Sequence, residues 1–175
     1  PEIEAPIEGQ NLKILYVIDS LGTGGAEHEL AERLPWLSHH NIVSIVVSLR
    51  LLWKNTEERV RLACVDAPER GQPYWRNSRL FLVSRVLGRE VSVTPRGADR
   101  YGRVIAIVGY QWEGRSREIN SDLVSEGLAW WFKQYDDGDL RLMVPQTSAG
   151  LHRRGLWADS NPKAPWIDRN EKRQR

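Results

Sequence analysis

The chain has one cysteine, Cys64, in 175 residues. An intramolecular disulfide and a multi-cysteine metal site are both excluded, and the redox compartment stays open. No apolar run approaches the roughly 20 residues needed to span a bilayer, so no membrane partner is expected. The opening stretch, PEIEAPIEGQ, is acidic and proline-containing, unlike a secretory signal. His28, His39, His40 and His152 do not fall at a metal-ligand spacing. Internal repeats and low-complexity tracts are absent as well.

What is present describes one ordinary globular domain with a real core: 41% hydrophobic and 27% charged residues. The net charge of +2 conceals a split. Residues 1–43 hold two basic and seven acidic residues, a balance of −5, against 23 basic and 16 acidic in the remainder, +7. A basic excess of that size points to a polyanionic partner or to a solvated charged surface.

The first 43 residues read as β–loop–α. LKILYVID is a buried-strand run, SLGTGGAE a Gly-rich turn and AEHELAERLPWL an amphipathic helix. A Gly-rich loop entering a helix can cradle a phosphate. On GGAE after a first strand, residues 12 to about 48 resemble the N-terminus of GT-B glycosyltransferases. That family's sugar-nucleotide site lies mostly in a second domain, for which this chain has no room, so an appendage is the expectation. From Val43 the style changes. IVSIVVSLRLLW and ERVRLACVD, separated by KNTE, predict a hairpin. WRNSRLFLVSRVLG predicts a helix ending at Gly88, and REVSVTP and YGRVIAIVGYQW two strands. Asn120 is a candidate N-cap for a helix that buries Leu123, Val124 and Leu128. LRLMVPQTSAGLHRRGLW could form a last helix that Pro145 must end or kink. EKRQR is expected to be disordered. Strands followed by helices suggest a small β-barrel with helices against it.

VRLACVDAPER poses the functional question. As a strand, it puts Arg61, Ala63 and Val65 on one face and Leu62 and Cys64 on the other. An arginine there needs an anion or a polar cavity. Pro68 ends the ladder and leaves Asp66 and Glu69 at its mouth. VRLACVDAPE, DRYGR, INSDLVSEGLAWW and RRGLWADSNPKAPW, in this order, make residues 47–169 resemble the thermonuclease (staphylococcal nuclease) family. The resemblance implies an α+β chain: a five-stranded OB-type barrel with about three helices, here following an N-terminal β–loop–α extension. It also implies calcium-dependent cleavage of DNA or RNA.

Position by position, Arg61 and Arg103 match the arginines that grip the scissile phosphate. Glu69 matches the carboxylate that activates or orients water, and Asp66 a calcium ligand. Arg100, Tyr101 and Tyr135 are candidates for substrate contact, through bases, sugars or phosphates. Asp99 is a candidate turn cap. Trp130, Trp131 and Trp157 are expected to pack at core edges.

The family's acidic loop before the second barrel strand is missing. Ile45 and Val46 stand in its place, so calcium is expected to bind weakly. The expected organisation is an extension at 1–43, a nuclease-like domain at 44–169 and a tail at 170–175. The expected function is a calcium-dependent nuclease acting as a monomer on single-stranded or loosely paired nucleic acid. The alternative is a single-stranded nucleic-acid-binding module whose chemistry has decayed. Relatives in the family are often exported, but the sequence leaves the compartment unknown.

Overall fold

The computed structural model describes residues 11–18, 46–50, 57–133 and 140–174. Its strands are β1 (Asn11–Ile18), β2 (Val46–Arg50), β3 (Glu57–Leu62), β4 (Val65–Asp66), β5 (Glu90–Ala98), β6 (Val104–Trp112), β7 (Arg115–Glu118) and β8 (Trp130–Trp131). Its α-helices are α1 (Trp75–Val86), α2 (Ile119–Ser125), α3 (Met143–Leu151) and α4 (Pro165–Arg173). Short 3-10 segments lie at Leu140–Leu142 and Gly155–Ala158.

Antiparallel pairing runs β3–β2–β1–β5–β6. β6 also pairs parallel with β3, Val60 opposite Val104, Arg61 opposite Ile105 and Leu62 opposite Ala106. That last ladder joins the two ends of the row and closes a five-stranded barrel, with α1 inserted between its third and fourth strands. This is the OB arrangement. Alternation puts Val60 and Leu62 of β3, Val91 and Val93 of β5, and Ala106, Val108 and Tyr110 of β6 into one core. Leu82 and Val86 of α1, with Ile119, Leu123 and Val124 of α2, cover the barrel with fully buried side chains. No helix among the described residues is long and apolar enough to cross a membrane.

The sheet does not respect a boundary at residue 43. β1 lies between β2 and β5, with Lys13 opposite both Arg50 and Glu90, so the N-terminal segment supplies a barrel strand. The Gly-rich turn and amphipathic helix expected over 19–43 lie outside the described residues, as does Ile45. The expected hairpin is seen as the antiparallel β2–β3 pair, in which Val46 stands opposite Arg61.

Several local expectations change for physical reasons. The strand read through VRLACVD breaks after Leu62. Ala63 and Cys64 form a turn, with Cys64 at φ 57, and Ala63 and Val65 are both buried. Asn120 does not cap α2; Glu118 holds the cap position, without a side-chain cap bond. Asn120 is instead buried in the first turn. Its Oδ1 accepts from Val108 N at 3.0 Å, and its Nδ2 donates to Ala63 O at 3.0 Å. One amide thus ties α2 to β6 and to the turn ahead of Asp66. Pro145 sits in the first turn of α3, where its missing N–H has no helical partner to lose. The tail expected from residue 170 is helical through Arg173, as the last turn of α4. That gives four α-helices among the described residues, where about three were expected.

Gly127 and Gly155 explain the SEGL and RRGLW segments. Both have positive φ, 65 and 50, and Leu156 N donates to Gly127 O at 2.8 Å. A Cβ on either glycine would run into the other segment's backbone, so this crossing requires both.

Candidate nucleic-acid cleavage site

β3 and β6 carry the two arginines. Val60 and Leu62 enter the core, so alternation turns Arg61, half-buried, away from the barrel interior. Arg103 immediately precedes β6, whose Val104 and Ala106 pack inward, so it leaves the interior in the same sense. The β5–β6 turn is built around Asp99. Asp99 Oδ1 accepts from Tyr101 N at 2.9 Å and Arg103 N at 3.0 Å, while Oδ2 accepts from Arg103 Nε at 2.5 Å. Asp99 is therefore the turn cap and also the clamp that orients the Arg103 guanidinium. Burial, the largest influence, pushes its carboxyl up. Hydrogen bonds from Arg103 and Tyr101, with the Arg103 charge, outweigh burial and hold it below its ordinary value.

Arg100 and Tyr101 belong to the same turn. The Arg100 and Arg103 guanidinium carbons lie 4.9 and 5.4 Å from the centroid of the Tyr101 ring, which is 68% exposed. The exposed ring thus carries two guanidinium groups within cation–π distance. Tyr135 lies outside the described residues.

Asp66 and Glu69 come from β4 and the turn after it. Asp66 pairs in the ladder with Trp130 of β8, and its residue is only 3% exposed. Glu69 is held at the backbone, where its N–H donates to Gln72 Oε1 at 2.6 Å and Gln72 N returns a bond to Glu69 O at 2.9 Å. The two carboxylates share one cation that the sequence motifs did not single out. Arg169 Nη2 donates to Asp66 Oδ2 at 2.5 Å, and Nη1 to Glu69 Oε1 at 2.7 Å and more distantly to Asp66 Oδ1 at 3.4 Å. Burial, the largest influence, pulls the Arg169 guanidinium down. The hydrogen bonds and charges of Asp66 and Glu69 together push it above its ordinary value.

Aromatic packing delivers Arg169 there. Trp166 of α4 lies edge-on to Trp130, with centroids 5.8 Å apart, and 4.9 Å from Phe132. Trp157 also packs on Trp130, with centroids 4.6 Å apart. Three residues after Trp166, on the same helix face, Arg169 reaches the residue paired with Trp130. The tryptophans thus pack as expected, and their packing also positions a charge. Gln72 and Arg169 are not marked by any sequence motif named above. The i, i+3 spacing from Glu69 is a turn signal for Gln72, whereas Arg169 lies 103 residues from Asp66 and has no local signal.

Calcium takes six to eight oxygen ligands. Here Asp66 and Glu69 oxygens are held by a guanidinium, and no group of three or more His, Cys, Asp or Glu placed to hold a metal exists among the described residues. The arrangement as it stands does not fit calcium.

A family model described as staphylococcal nuclease homologue matches residues 59–159. The chain belongs to that family. An Escherichia coli protein named an uncharacterized endonuclease is 42% identical over 114 residues, 65% of this chain and 72% of the relative. A Shigella flexneri protein named micrococcal nuclease is 38% identical over 114 residues, 62% of this chain and 66% of the relative. A rice protein named a probable staphylococcal-like nuclease is 34% identical over 116 residues, covering 66% of this chain and 33% of its own length. The family match spans the β3–β6 ladder, the Asp66–Glu69 turn and the Asp99–Arg103 turn; it ends before α4 and Arg169.

Proposed function

We propose that this chain is a nuclease of the thermonuclease type, hydrolysing phosphodiester bonds in single-stranded or loosely paired DNA or RNA as a monomer. The observation that carries the reading is the clamped Arg103, fixed by Asp99 beside the exposed Tyr101. Together with Arg61 across the β3–β6 ladder, it offers a phosphodiester two planar guanidinium forks.

As water attacks phosphorus, charge grows on the equatorial oxygens, and aimed guanidinium donors stabilise it. Glu69 takes the proton of the attacking water. The P–O bond to the leaving nucleotide breaks as the new P–O bond forms, and the departing oxygen takes a proton from solvent. The Arg100–Tyr101 platform holds the adjoining base and backbone without reading sequence. No step of this reading runs through a metal ion.

The Arg169 fork favours a second reading, in which Asp66 and Glu69 stay locked and the chain binds single strands without cutting them. One assay separates the two. Purified full-length chain is incubated with denatured DNA, with and without added calcium, and acid-soluble nucleotide is measured. Release that disappears in Glu69→Ala supports the nuclease. Salt-sensitive binding without release supports the binding module.

A further inference from the structure

We propose that the end of the barrel remote from the Asp99–Arg103 turn carries a second contact for single-stranded nucleic acid, built from Arg85 and Arg89 over Trp112 with Arg115 beside them. This contact presupposes the reading of the chain as one that acts on single strands. It gives a place to the part of the strand that extends beyond the cleaved bond.

The sequence supplies the charge. Residues 70–89 contain five arginines and no acidic residue. Most of that stretch is α1, which buries Ser78, Leu82 and Val86 along one stripe. Arg85 flanks the stripe and stays half-buried at the barrel's edge. Gly88, at φ 69, turns the chain out of α1, and Arg89 N donates to Val86 O at 3.1 Å, which fixes where Arg89 departs. β6 supplies the ring. Trp112 is its last residue, packs against the core and stands opposite Arg115 in the β6–β7 ladder.

The guanidinium carbon of Arg85 lies 3.8 Å from the centroid of a Trp112 ring and 4.9 Å from that of Phe81, and Arg89 lies 4.9 Å from Trp112. A guanidinium stacked on a ring uses its faces and keeps N–H donors at its edge, where a phosphate oxygen can accept them. Among the described residues, Arg85, Arg89 and Arg115 form no ion pair. Glu90 and Glu113 adjoin the patch in sequence; both are exposed, and neither pairs with these arginines. Arg117, two residues along β7, is spent on Asp122. Aromatic packing therefore holds the cations in place while no carboxylate satisfies them, which is the arrangement an anion completes.

The spacing sets the class of ligand. β6 runs nine residues from Val104 to Trp112, so roughly 30 Å of strand separates Arg103 from the patch. OB folds cover roughly 4 to 16 nucleotides of single strand. A strand at the long end of that range reaches both places, and one at the short end does not. The patch thus selects for length, through phosphates, and not for sequence.

The test measures binding by the full chain in a chelator, so that nothing is cut. Fluorescence anisotropy follows labelled thymidine oligomers of about 5 and about 25 nucleotides, which fall below and above the span. Arg85→Met combined with Arg89→Gln should weaken the long oligomer about fivefold or more at low salt. It should also reduce the slope of log affinity against log salt by about 1.4, roughly 0.7 for each lost phosphate contact. The short oligomer should change by less than about twofold, whereas Arg103→Ala should weaken both lengths. If the Arg85 change unfolds the chain, Arg89→Gln with Arg115→Gln, both exposed, carries the same expectation. Unchanged long-oligomer affinity, equal losses on both lengths, or no binding of either by the parent would each overturn the proposal. So would arginines that govern binding to anionic phospholipid vesicles and not to the long oligomer. Long-oligomer binding that needs Arg85 and Arg89, in a chain that releases no nucleotide from denatured DNA, would keep this inference and remove the nuclease reading.

Discussion

Two carboxylate clusters in this molecule use the same parts to opposite ends. Between α2 and β7, the buried Asp122 accepts from Tyr110 OH at 2.6 Å and from Arg117 Nη2 and Nε at 2.5 and 2.9 Å. One negative charge meets one positive charge, and the phenol completes the set. Beside β4, two carboxylates share one guanidinium, and that guanidinium comes from α4. The first cluster is closed and belongs to the scaffold. The second is a fork in which one guanidinium spans two acids brought from a different part of the chain. Pairing alone does not separate structure from chemistry; the balance of charge and the origin of the partner do.

The comparison breaks first where the closed cluster is opened. Asp122→Ala leaves a buried phenol without its acceptor and an arginine without its fork. A loss of about 2–4 kcal/mol is expected, at the lower end because Arg117 is half exposed and can resolvate. Urea unfolding of parent and variant checks this, and a midpoint shift with unchanged slope is the predicted form. Nuclease activity of the remaining folded fraction should be near that of the parent.

Next in size are the two arginines proposed to hold the phosphate. Arg61→Ala and Arg103→Ala should each reduce turnover on denatured DNA by about a hundredfold, near 2.7 kcal/mol of transition-state stabilisation. Asp99→Ala should cost about tenfold through the loss of aim on Arg103, with Asp99→Asn recovering part by restoring the Oδ1 cap. Steady-state rates on one substrate preparation order the three.

Much of this arrangement is legible in the sequence, and the rest is not for identifiable reasons. Arg61, Asp66, Glu69, Asp99 and Arg103 sit in short motifs whose order survives whatever the chain does between them. Arg169 could not be read that way: its partners lie about a hundred residues upstream, and only the Trp166–Trp130–Asp66 stack connects them. Asn120 is ambiguous in sequence because a short polar residue before an apolar run has two uses, and its buried bonds to Val108 and Ala63 decide between them. The break at Cys64 hid inside an apolar alternation that predicts one continuous strand. The first barrel strand came from a segment with a foreign-looking sequence, since LKILYVI has the apolar run that either fold would use.

The smallest effect sharpens the comparison through pH. Burial first, then the hydrogen bond to Asp122 and its charge, push the Tyr110 phenol up to about 12 from 10.0. The folded state keeps this proton longer than the unfolded chain does. The associated stability is therefore complete below pH 10 and is lost as pH rises through the interval to about 12. Thermal melts from pH 9 to beyond that interval should fall for the parent and flatten for Tyr110→Phe, once background lysine and arginine titration, common to both, is subtracted. Cleavage rates below pH 9 should be insensitive to this group.

The measurement that bears most directly on the division between scaffold and cleft is a paired one, turnover and melting temperature for Glu69→Gln beside Asp122→Asn. Glu69→Gln keeps the shape of the side chain and its acceptor oxygen for Arg169 while removing the base. Its rate on denatured DNA should drop by about a hundredfold or more with a melting temperature close to that of the parent, whereas Asp122→Asn should lose stability and keep most of its rate. Full turnover in correctly folded Glu69→Gln would contradict the account, because cleavage would then proceed without the carboxylate proposed as its base.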